Sequence, residues 1–484
     1  MSMTTNESAR QRVDSLLDDN SFVEVGALVK ARNTDFNMTA KDTTSDGVIT
    51  GYGVIDGRLV YVYSQNPSVM NGSVGEMHAK KIANIYDLAI KMGAPVIGLI
   101  DCAGVRLQES TDALNAFGEI YAKQALASGM IPQITAVFGS CGGGLSVLTE
   151  MSDFTFMEEK NGKLFVNSPN TLDGNSVEKC DTSDAKFQSE ESGNADVVAD
   201  EETIFEKIRE LVTILPANNE DNDSYSECTD DLNRVCGDLA ASATDPALAF
   251  SQISDDQLFV EMKSAYAKEM VTGFIKLNGL TVGAVGNRTE LFDEEAKVAE
   301  KFDSVITANG ADKAADFVKF CDAFSIPVLT FTNATGFKAC KCQEKRIAKA
   351  LARMTYAFAS ASVPKVNVVT GKAYGTAYSV MNSKAVGADT VFAWEGSEIG
   401  TMDAALAAKI MYADEISKAK DANAVINEKA AEYRNLQNSA ESAASRGYVD
   451  TMIAPEDTRK YVIGAFEMLF TKREECPAKK HGTI

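Results

Sequence analysis

The fold prediction starts from the stretch Phe138-Gly139-Ser140-Cys141-Gly142-Gly143-Gly144-Leu145-Ser146-Val147-Leu148. It follows the apolar run 131–137, which is typical of a buried strand, and it precedes a segment with helical character. Glycines at such a turn let the backbone approach a ligand closely, and the first N–H groups of the helix lack an intrahelical acceptor. The pattern therefore indicates a site for negative charge, although a tight turn without any ligand has the same glycine pattern.

The segments around this stretch alternate between strand and helix patterns. Upstream, residues 47–64 have the pattern of a β-hairpin, with Asp56-Gly57 at its turn. A helical pattern over 76–90 then leads to the apolar run 96–100, which is typical of a strand buried on both faces. Strand, helix, strand and helix in this order predict a parallel sheet with helical crossovers.

The second half of the chain repeats the first. A hairpin pattern returns over 271–285, with Asn278-Gly279 at its turn. We therefore predict a duplicated domain, with a second strand-to-helix anion site at 371–378. The segment 403–446 is predicted to form additional helices that the first copy lacks. Four proline and glycine positions recur at one shift of 232 residues, each between matching apolar runs: Pro95 and Pro327, Gly104 and Gly336, Pro132 and Pro364, and Gly139 and Gly371.

Length and composition indicate where the domains divide. At 484 residues the chain is too long for one ordinary core, and 45% hydrophobic with 24% charged residues is typical of globular proteins. The stretch 216–246 is rich in Asn, Asp, Glu and Ser. It is therefore predicted to be an exposed acidic linker between domains 1–215 and 247–484.

Charge and hydropathy exclude several classes of partner. The net charge of −22 argues against nucleic acid and anionic membranes as partners. The chain has no uninterrupted apolar run of about 18 residues, so we expect no membrane span. Residues 1–12 are polar, so we expect no secretory signal either. These observations predict a cytoplasmic protein.

The residue types that metals and nucleophilic enzymes use are scarce. The nine cysteines are scattered, which is typical of free thiols, and only Cys340 and Cys342 are close in sequence. With only two histidines, His78 and His481, we predict no metal site. The sequence contains neither a Gly-x-Ser-x-Gly motif nor a P-loop. Chemistry is therefore expected from backbone N–H donors, and two such sites suit a reaction in which an oxyanion develops on each of two substrates.

Short blocks of characteristic sequence extend over nearly the whole chain: 47–53, 72–82, 93–98, 127–133, 153–157, 372–375, 381–383, 387–389 and 392–394. Together they resemble the carboxyltransferase subunits of biotin-dependent acyl-CoA carboxylases and decarboxylases. Within that family, the ending Lys479-Lys480-His481-Gly482 is most similar to propionyl-CoA carboxylase β and methylmalonyl-CoA decarboxylase α subunits. The resemblance implies an α/β fold of two tandem crotonase-like domains, of the ClpP/crotonase superfamily, assembled as a hexamer.

The resemblance also implies where each substrate binds. The first domain would be the acyl-CoA side, with an oxyanion hole at the backbone of Gly143 and Gly144. The second domain would be the biotin side, with another oxyanion hole at Thr376 and Ala377. The other implied site residues are Gly104, Val105, Arg106 and Ser379 for the acyl-CoA substrate, and Lys372, Tyr374 and Gly375 for biotin.

The implied reaction moves a carboxyl group between biotin on a carrier protein and the α-carbon of an acyl-CoA. It would convert acetyl- or propionyl-CoA to malonyl- or methylmalonyl-CoA, or run as the reverse decarboxylation. The chain has no biotin-attachment motif of the type Ala/Val-Met-Lys-Met. The implied partners are therefore a biotin carboxyl carrier protein and either a biotin carboxylase or a membrane decarboxylase.

Departures from the family pattern keep two alternatives open. Leu145 and Thr376 stand where the family has smaller residues, and 335–344 is a divergent version of a family loop. One alternative is a catalytically impaired scaffold subunit that assembles with an active paralogue. The other is a crotonase-like CoA enzyme without biotin chemistry, although no pair of glutamates accompanies the first glycine stretch.

Overall fold

The structure is a computed structural model, and it describes residues 8–32, 44–221, 226–293 and 295–474. The chain divides into two units, Met1–Ser224 and Tyr225–Ile484. Each unit contains its own eight-stranded sheet. Within the described ranges, no helix has the length and apolar character that crossing a membrane requires.

Unit 1 has a mixed sheet with a parallel centre. The strand order is β1-β2-β3-β4-β5-β6-β8, and β7 pairs with the end of β5. The strands are β1 (Val23–Glu24), β2 (Val48–Ile55), β3 (Arg58–Gln65), β4 (Val96–Cys102), β5 (Gln133–Gly142), β6 (Phe154–Glu158), β7 (Lys163–Phe165) and β8 (Val197–Ala199). The helices are α1 (Ala9–Leu16), α2 (Glu76–Met92), α3 (Ser110–Ala127), α4 (Gly144–Glu150), α5 (Asn175–Glu178) and α6 (Glu201–Ile214).

Local sequence explains the main elements of unit 1. The β2–β3 hairpin turns at Asp56 and Gly57, whose φ angles of 48° and 79° lie in the left-handed region. Helix α2 ends at Gly93, which is also left-handed. Strand β4 is buried along its whole length, as its apolar run predicts. The predicted hairpin, helix and buried strand are therefore confirmed.

Strand β5 is longer than the sequence predicts. The apolar run indicates an end at residue 137, but the strand continues to Gly142. Cys141 pairs with Cys102 of β4, and Ser140–Gly142 pair in parallel with β7. This additional pairing with β7 keeps the glycines extended, so the turn begins only at Gly143.

Unit 2 repeats this architecture. The order of its main sheet is β18-β16-β15-β14-β11-β10-β9, with β17 paired to β15, while β12 and β13 form a separate ribbon. The strands are β9 (Phe259–Met262), β10 (Met270–Leu277), β11 (Leu280–Asn287), β12 (Glu290–Phe292), β13 (Val298–Lys301), β14 (Val328–Ala334), β15 (Lys365–Tyr374), β16 (Thr390–Trp394), β17 (Glu398–Gly400) and β18 (Thr451–Ile453). The helices are α7 (Leu239–Ser242), α8 (Pro246–Ile253), α9 (Ala308–Ala323), α10 (Lys341–Glu344), α11 (Ile347–Ser360), α12 (Gly375–Val380), α13 (Ala404–Met411), α14 (Ala413–Lys418), α15 (Ala422–Tyr433), α16 (Ala440–Ser445) and α17 (Thr458–Leu469).

The predicted internal repeat is seen in the strand pairing, because equivalent residues of the two units pair in the same way. Cys102 of β4 pairs with Cys141 of β5 in unit 1. Ala334 of β14 pairs with Ala373 of β15 in unit 2, at the same shift of 232 residues. The duplication is therefore confirmed at the level of individual strand pairs. Helices α13 to α16 occupy the segment that was predicted to add helices to the second copy.

Each unit has its own hydrophobic core. In unit 1, helices α2 and α3 pack on β3 to β5, with Ile82 and Ile120 fully buried. The core of unit 2 includes Phe331 of β14, and it also includes Cys236 and Leu239 from the stretch that was predicted to be a linker. Both side chains are buried: Leu239 lies on α7, which packs on α8, and Sγ of Cys236 lies 3.4 Å from the Gln252 carbonyl oxygen on α8. This part of the acidic stretch therefore contributes to the core of unit 2.

Candidate functional site

The glycine turn of unit 1 joins β5 to α4 at Gly143. This residue has a φ of 63° and a ψ of −124°, a conformation that favours glycine. Its N–H donates to the carbonyl of Phe165 on β7 at 2.9 Å. The Gly143 N–H, which the resemblance assigned to an oxyanion hole, is therefore already engaged inside unit 1. Sequence reasoning missed this because β7 is only a three-residue strand without a periodic signal.

The N–H of Gly144 is differently placed. Gly144 is the first residue of α4, so it has no intrahelical acceptor, and the described part of the chain offers it no other acceptor. The Tyr121 hydroxyl donates to the Gly144 carbonyl at 2.6 Å. An added Cβ on Gly144 would lie 2.8 Å from that hydroxyl, so a side chain here would displace Tyr121. The larger Leu145 side chain is fully buried in the core of unit 1.

A second backbone segment, residues 104–106, lies beside this turn. Gly104 has a φ of 104°, and an added Cβ there would lie 4.0 Å from the Gly142 carbonyl oxygen. Val74 bridges the segment, because its N–H donates to the Gly104 carbonyl and its carbonyl accepts from the Arg106 N–H, both at 2.9 Å. The intervening N–H of Val105 has no acceptor among the residues that the structure describes. The segment and the glycine turn therefore lie side by side at the ends of β4 and β5.

Arg106 is fully buried, and the partners of its guanidinium among the described residues all lie in unit 1. Nη1 contacts the Asp46 carboxylate and lies 2.8 Å from Oε1 of Glu109. Nη2 donates to the Ser73 carbonyl at 2.7 Å. The resemblance assigned Arg106 to substrate binding, but in this structure its charge is directed inward. Arg106 therefore holds the loop that carries Val105.

The same ion cluster fixes the start of helix α2. Asp46 accepts the His78 N–H at 2.7 Å, and Glu109 accepts the Glu76 N–H at 2.6 Å. Burial is the main cause that raises the pKa of Asp46 above its usual value. Burial also lowers the pKa of His78 to about 3, so this histidine is neutral at physiological pH. The loops beside Val105 are thus tied to α2 through buried polar contacts.

The glycine turn of unit 2 joins β15 to α12 at Gly375. Gly375 has a φ of 58°. Thr376 and Ala377 lie in the first turn of α12, where N–H groups have no intrahelical acceptor, and the described ranges contain no other acceptor for them. The Thr376 side chain is exposed. The two N–H groups that were predicted as the second oxyanion hole are therefore without an internal partner in this part of the structure.

Tyr374 is the buried residue that precedes this turn. Its hydroxyl donates to the carboxylate of Glu398 on β17, and Nε of Arg434 lies 3.2 Å from the other oxygen of Glu398. Burial, and then the Glu398 carboxylate, raise the pKa of Tyr374 above its usual range, so the hydroxyl remains a donor. Sequence reasoning missed Glu398 and Arg434, because the pairing of the short strand β17 with β15 leaves no local pattern.

Lys372 and Ser379 lie on either side of the turn. The Lys372 side chain is exposed, and its N–H donates to Oδ1 of Asn333 at 3.1 Å. Ser379 is partly buried on α12, and its carbonyl accepts from the Ser383 hydroxyl at 2.8 Å. The structure therefore brings all the residues predicted for unit 2 into one strand, turn and helix. Over the described residues, no three His, Cys, Asp or Glu side chains are grouped closely enough to hold a metal ion.

The turns of the two units occupy equivalent positions. Gly375 and Thr376 follow Gly143 and Gly144 at the shift of 232 residues that relates the two sheets. The backbone bridge beside the first turn recurs as Ile306–Phe337 beside the second. At the carboxyl ends of its central strands, each unit thus places a helical N–H that has no acceptor among the described residues next to a loop held by such a bridge.

Comparison with known proteins identifies relatives over the whole chain. The carboxyl transferase domain family matches residues 4–484. Methylmalonyl-CoA decarboxylase subunit alpha of Propionigenium modestum is 38% identical over 489 residues, which cover 99% of this chain and 93% of that protein. The propionyl-CoA carboxylase beta chain of Saccharopolyspora erythraea is 38% identical over 501 residues, which cover 99% of this chain and 90% of that protein.

A solved structure has the same fold. The crystal structure of transcarboxylase 12S, described as a hexamer with hydrolyzed methylmalonyl-coenzyme A bound, matches with a TM-score of 0.90 and 35% identity. The match covers 99% of this chain and 92% of that chain. The α/β fold of two tandem crotonase-like domains is therefore confirmed, and so is the family resemblance that the sequence motifs indicate. The chain belongs to the carboxyl transferase domain family.

Proposed function

We propose that the protein is a biotin-dependent acyl-CoA carboxyltransferase subunit. It moves a carboxyl group between biotin on a separate carrier protein and the α-carbon of an acyl-CoA. The observation that carries the proposal is the pair of equivalent glycine turns, one in each unit, whose N–H groups at Gly144 and Thr376 have no acceptor in the described structure. The names of the relatives, which include a carboxylase and a decarboxylase, support the same chemistry.

In unit 1 we assign the N–H groups of Gly144 and Val105 to the thioester oxygen of the acyl-CoA. Formation of a carbanion at the α-carbon moves negative charge onto this oxygen, and a preorganised N–H donor stabilises it there. Loss of one such donor costs about 3–4 kcal/mol of transition-state energy. Gly143 and Gly104 adopt the left-handed backbone conformations that the turn and the loop need. The buried contacts of Arg106 hold the loop that carries Val105.

In unit 2 we assign the N–H groups of Thr376 and Ala377 to the ureido oxygen of biotin. Biotin, when bound, supplies the ureido nitrogen that carries the carboxyl group. Two successive N–H donors beside an exposed threonine side chain fit such an oxygen. Gly375 provides the turn and Tyr374 anchors it, while the exposed Lys372 lies at the edge of the biotin site.

We assign Ser379, one helical turn beyond Thr376, to the acyl chain. It is partly buried on α12, and its side-chain oxygen gives this position a small polar surface. The choice between acetyl-, propionyl-, malonyl- and methylmalonyl-CoA would depend on the residue at this place. Carboxylation and the reverse decarboxylation use the same donors, so both directions belong to the proposal.

The assembly belongs to the proposal as well. We propose a hexamer of this chain, because transcarboxylase 12S is described as one. The partners would be a biotin carboxyl carrier protein together with a biotin carboxylase or a membrane decarboxylase. The proposed location is the cytoplasm.

A test of the proposal uses the purified protein with free biotin and follows loss of CO2 from malonyl-CoA and methylmalonyl-CoA in parallel. We expect turnover that requires biotin, and the ratio of the two rates measures the acyl preference. Turnover without biotin would contradict the proposal in favour of a crotonase-like CoA enzyme. A protein that binds acyl-CoA but turns over neither substrate would support the scaffold alternative instead.

A matched pair of variants tests the role of the Thr376 N–H. Thr376→Pro removes the N–H in the first turn of α12, where proline is tolerated because no intrahelical bond is lost. Thr376→Ala keeps the N–H and removes only the hydroxyl and methyl groups. We expect the proline variant to lose a factor of about 10²–10³ in biotin-dependent rate and the alanine variant to stay within about threefold. Equal loss in both variants would contradict the assignment.

A further inference from the structure

Two cysteines separated by a single residue, Cys340 and Cys342, lie in the segment between β14 and α11. Cys342 is exposed and Cys340 is partly exposed, whereas Cys102, Cys141 and Cys321 are buried. Neither thiol has a role in the proposed function. We propose that Cys340 and Cys342 form a reversible disulfide site that reacts with small disulfides of the glutathione type.

The backbone brings these two residues to a suitable distance. Lys341 is the first residue of α10, so the Cα atoms on either side of it are about 5.4 Å apart by helix geometry. Disulfides join Cα atoms that are about 4.4–6.8 Å apart. Two helical residues that are two positions apart point to nearly opposite faces of a helix. Cys340 is not helical but extended, with a φ of −149° and a ψ of 157°, so this restriction does not apply to it. One residue therefore separates two cysteines whose backbone spacing allows an S–S bond.

The surroundings favour the reactive thiolate at Cys340. A hydrogen bond from the Cys342 thiol is the main cause that lowers the pKa of Cys340, and the N–H groups of Gln343 and Cys342 add to it. The ammonium group of Lys338 acts in the same direction. Lys338 is exposed and lies 2.6 Å from Asp303, so the loop is held here by a surface ion pair. Because Cys340 is partly exposed and Cys342 is exposed, a small disulfide can approach this pair from solvent.

The reaction is an ordinary thiol–disulfide exchange in two steps. The Cys340 thiolate attacks one sulfur of glutathione disulfide, which breaks its S–S bond, forms a mixed disulfide and releases one glutathione thiolate. The Cys342 thiolate then attacks the Cys340 sulfur and releases the second glutathione. Two protein thiols are oxidised to one disulfide, one glutathione disulfide is reduced to two thiols, and the two protons pass to the released thiolates.

The site adjoins a contact that fixes a helix of unit 2. Oε1 of Gln343, the residue after Cys342, accepts the N–H of Ala308 at the start of α9 at 2.6 Å. The Cys340 carbonyl accepts the Glu344 N–H at 3.0 Å. Closing the S–S bond to about 2.05 Å turns both cysteines toward each other within this short segment. Oxidation therefore acts on the segment that caps α9.

The test uses the native full-length protein, incubated with glutathione disulfide at neutral pH, alkylated, and digested with trypsin without reductant. Trypsin cleaves after Lys338, Lys341 and Lys345, so a disulfide leaves peptides 339–341 and 342–345 linked to each other. We expect this linked pair in the wild type, and its loss in Cys340→Ser and Cys342→Ser and after addition of dithiothreitol. Because this readout does not require catalytic turnover, its result is independent of whether the proposed function is correct.

Cys180→Ser is the matched control, because Cys180 is the other exposed cysteine in the described structure. It should leave the linked peptides unchanged. In the wild type, we expect alkylation at Cys340 to be at least threefold faster than at Cys180. Recovery of Cys340 and Cys342 as separate alkylated or separately glutathionylated peptides, with Cys340 no faster than Cys180, would overturn the proposal.

Discussion

The Asp101 carboxylate lies directly against Gly139, so closely that an added Cβ on this glycine would sit 2.1 Å from Oδ1. Asp101 cannot turn away freely, because Nη1 of the fully buried Arg12 lies 3.2 Å from its other oxygen. Unit 2 repeats the arrangement with Asn333 against Gly371, where the added Cβ would lie 2.7 Å from Oδ1. Both glycines are therefore required by a side chain on the neighbouring strand and not by their own backbone angles.

We predict that Gly139→Ala destabilises unit 1. The new methyl group forces Asp101 away from Arg12 or shifts β5, and overpacking of this kind costs about 1–3 kcal/mol. Urea unfolding, followed by fluorescence or circular dichroism, measures the loss. Gly118→Ala is the control, since nothing lies within 4 Å of a Cβ there and the residue is on helix α3. That variant should gain about 0.5–1 kcal/mol, and equal effects in both variants would contradict the explanation.

A second prediction concerns pH. Burial, with help from the nearby Asp196 carboxylate, raises the pKa of Asp153 to about 7, against about 3.9 in an unfolded chain. The folded protein therefore favours the protonated form. The stabilisation is complete below about pH 4 and is lost as pH rises toward 7. Relative to Asp153→Asn, the wild type should lose up to about 1.4 kcal/mol of unfolding free energy per pH unit across this range.

The measurement is the difference in urea midpoint between the wild type and Asp153→Asn at several pH values. The asparagine keeps an acceptor for the Gln133 N–H, which Asp153 receives at 2.8 Å. Asp389→Asn is the matched control in unit 2, where Asp389 accepts the Lys365 N–H at 2.8 Å but also lies 2.9 Å from Nζ of Lys472. We expect the Asp389 variant to be destabilised at neutral pH, and a parallel response of both variants would argue against the assignment.

Arg106 gives a third prediction. Arg106→Met leaves the Asp46 and Glu109 carboxylates buried without their cation, which costs about 3–5 kcal/mol. Binding of acyl-CoA should weaken in the same variant, because the loop that carries Val105 loses its support. Lys207→Met, which removes a surface ion pair with Glu210 on α6, should cost less than about 1 kcal/mol. Chemical unfolding and a titration with acyl-CoA check the two effects.

A fourth prediction separates the two substrates. Glu398→Gln keeps an acceptor for Tyr374 but removes the charge that faces Arg434. Charge-assisted hydrogen bonds of this kind are worth about 1.5–3 kcal/mol, so we expect the KM for biotin to rise about tenfold. The KM for acyl-CoA should change less than about twofold. A rise in both values, or in the acyl-CoA value alone, would show that Glu398 does not position the biotin-side turn.

The sequence allowed prediction of the fold because its signals are local. Asp56-Gly57 and Asn278-Gly279 define the two hairpins, and the repeated prolines and glycines define the duplication. The apolar run before the first glycine stretch predicted β5 but not its continuation to Gly142, which depends on pairing with β7. A three-residue strand has no periodicity of its own, so its partner cannot be predicted from it.

For a similar reason, the sequence indicates only some of the contacts that the candidate site makes. The anion site over 371–378 was predictable because a helix start leaves N–H groups without acceptors wherever it occurs, and the family resemblance assigned it to Thr376 and Ala377. The engagement of the Gly143 N–H by Phe165 depends on residues more than one element away. The inward direction of Arg106 depends on Asp46, which lies far upstream in sequence. Such contacts are decided by tertiary packing, and one sequence contains no separate signal for them.

The two bridged loops of this duplicated protein differ in how freely each can be redesigned. In unit 1 the loop with Val105 rests on a buried ion cluster, so most replacements there must be accompanied by changes in several distant residues. In unit 2 the loop with Phe337 is held by the surface pair of Lys338 and Asp303. Libraries aimed at new substrates should therefore randomise the second loop and leave the first intact.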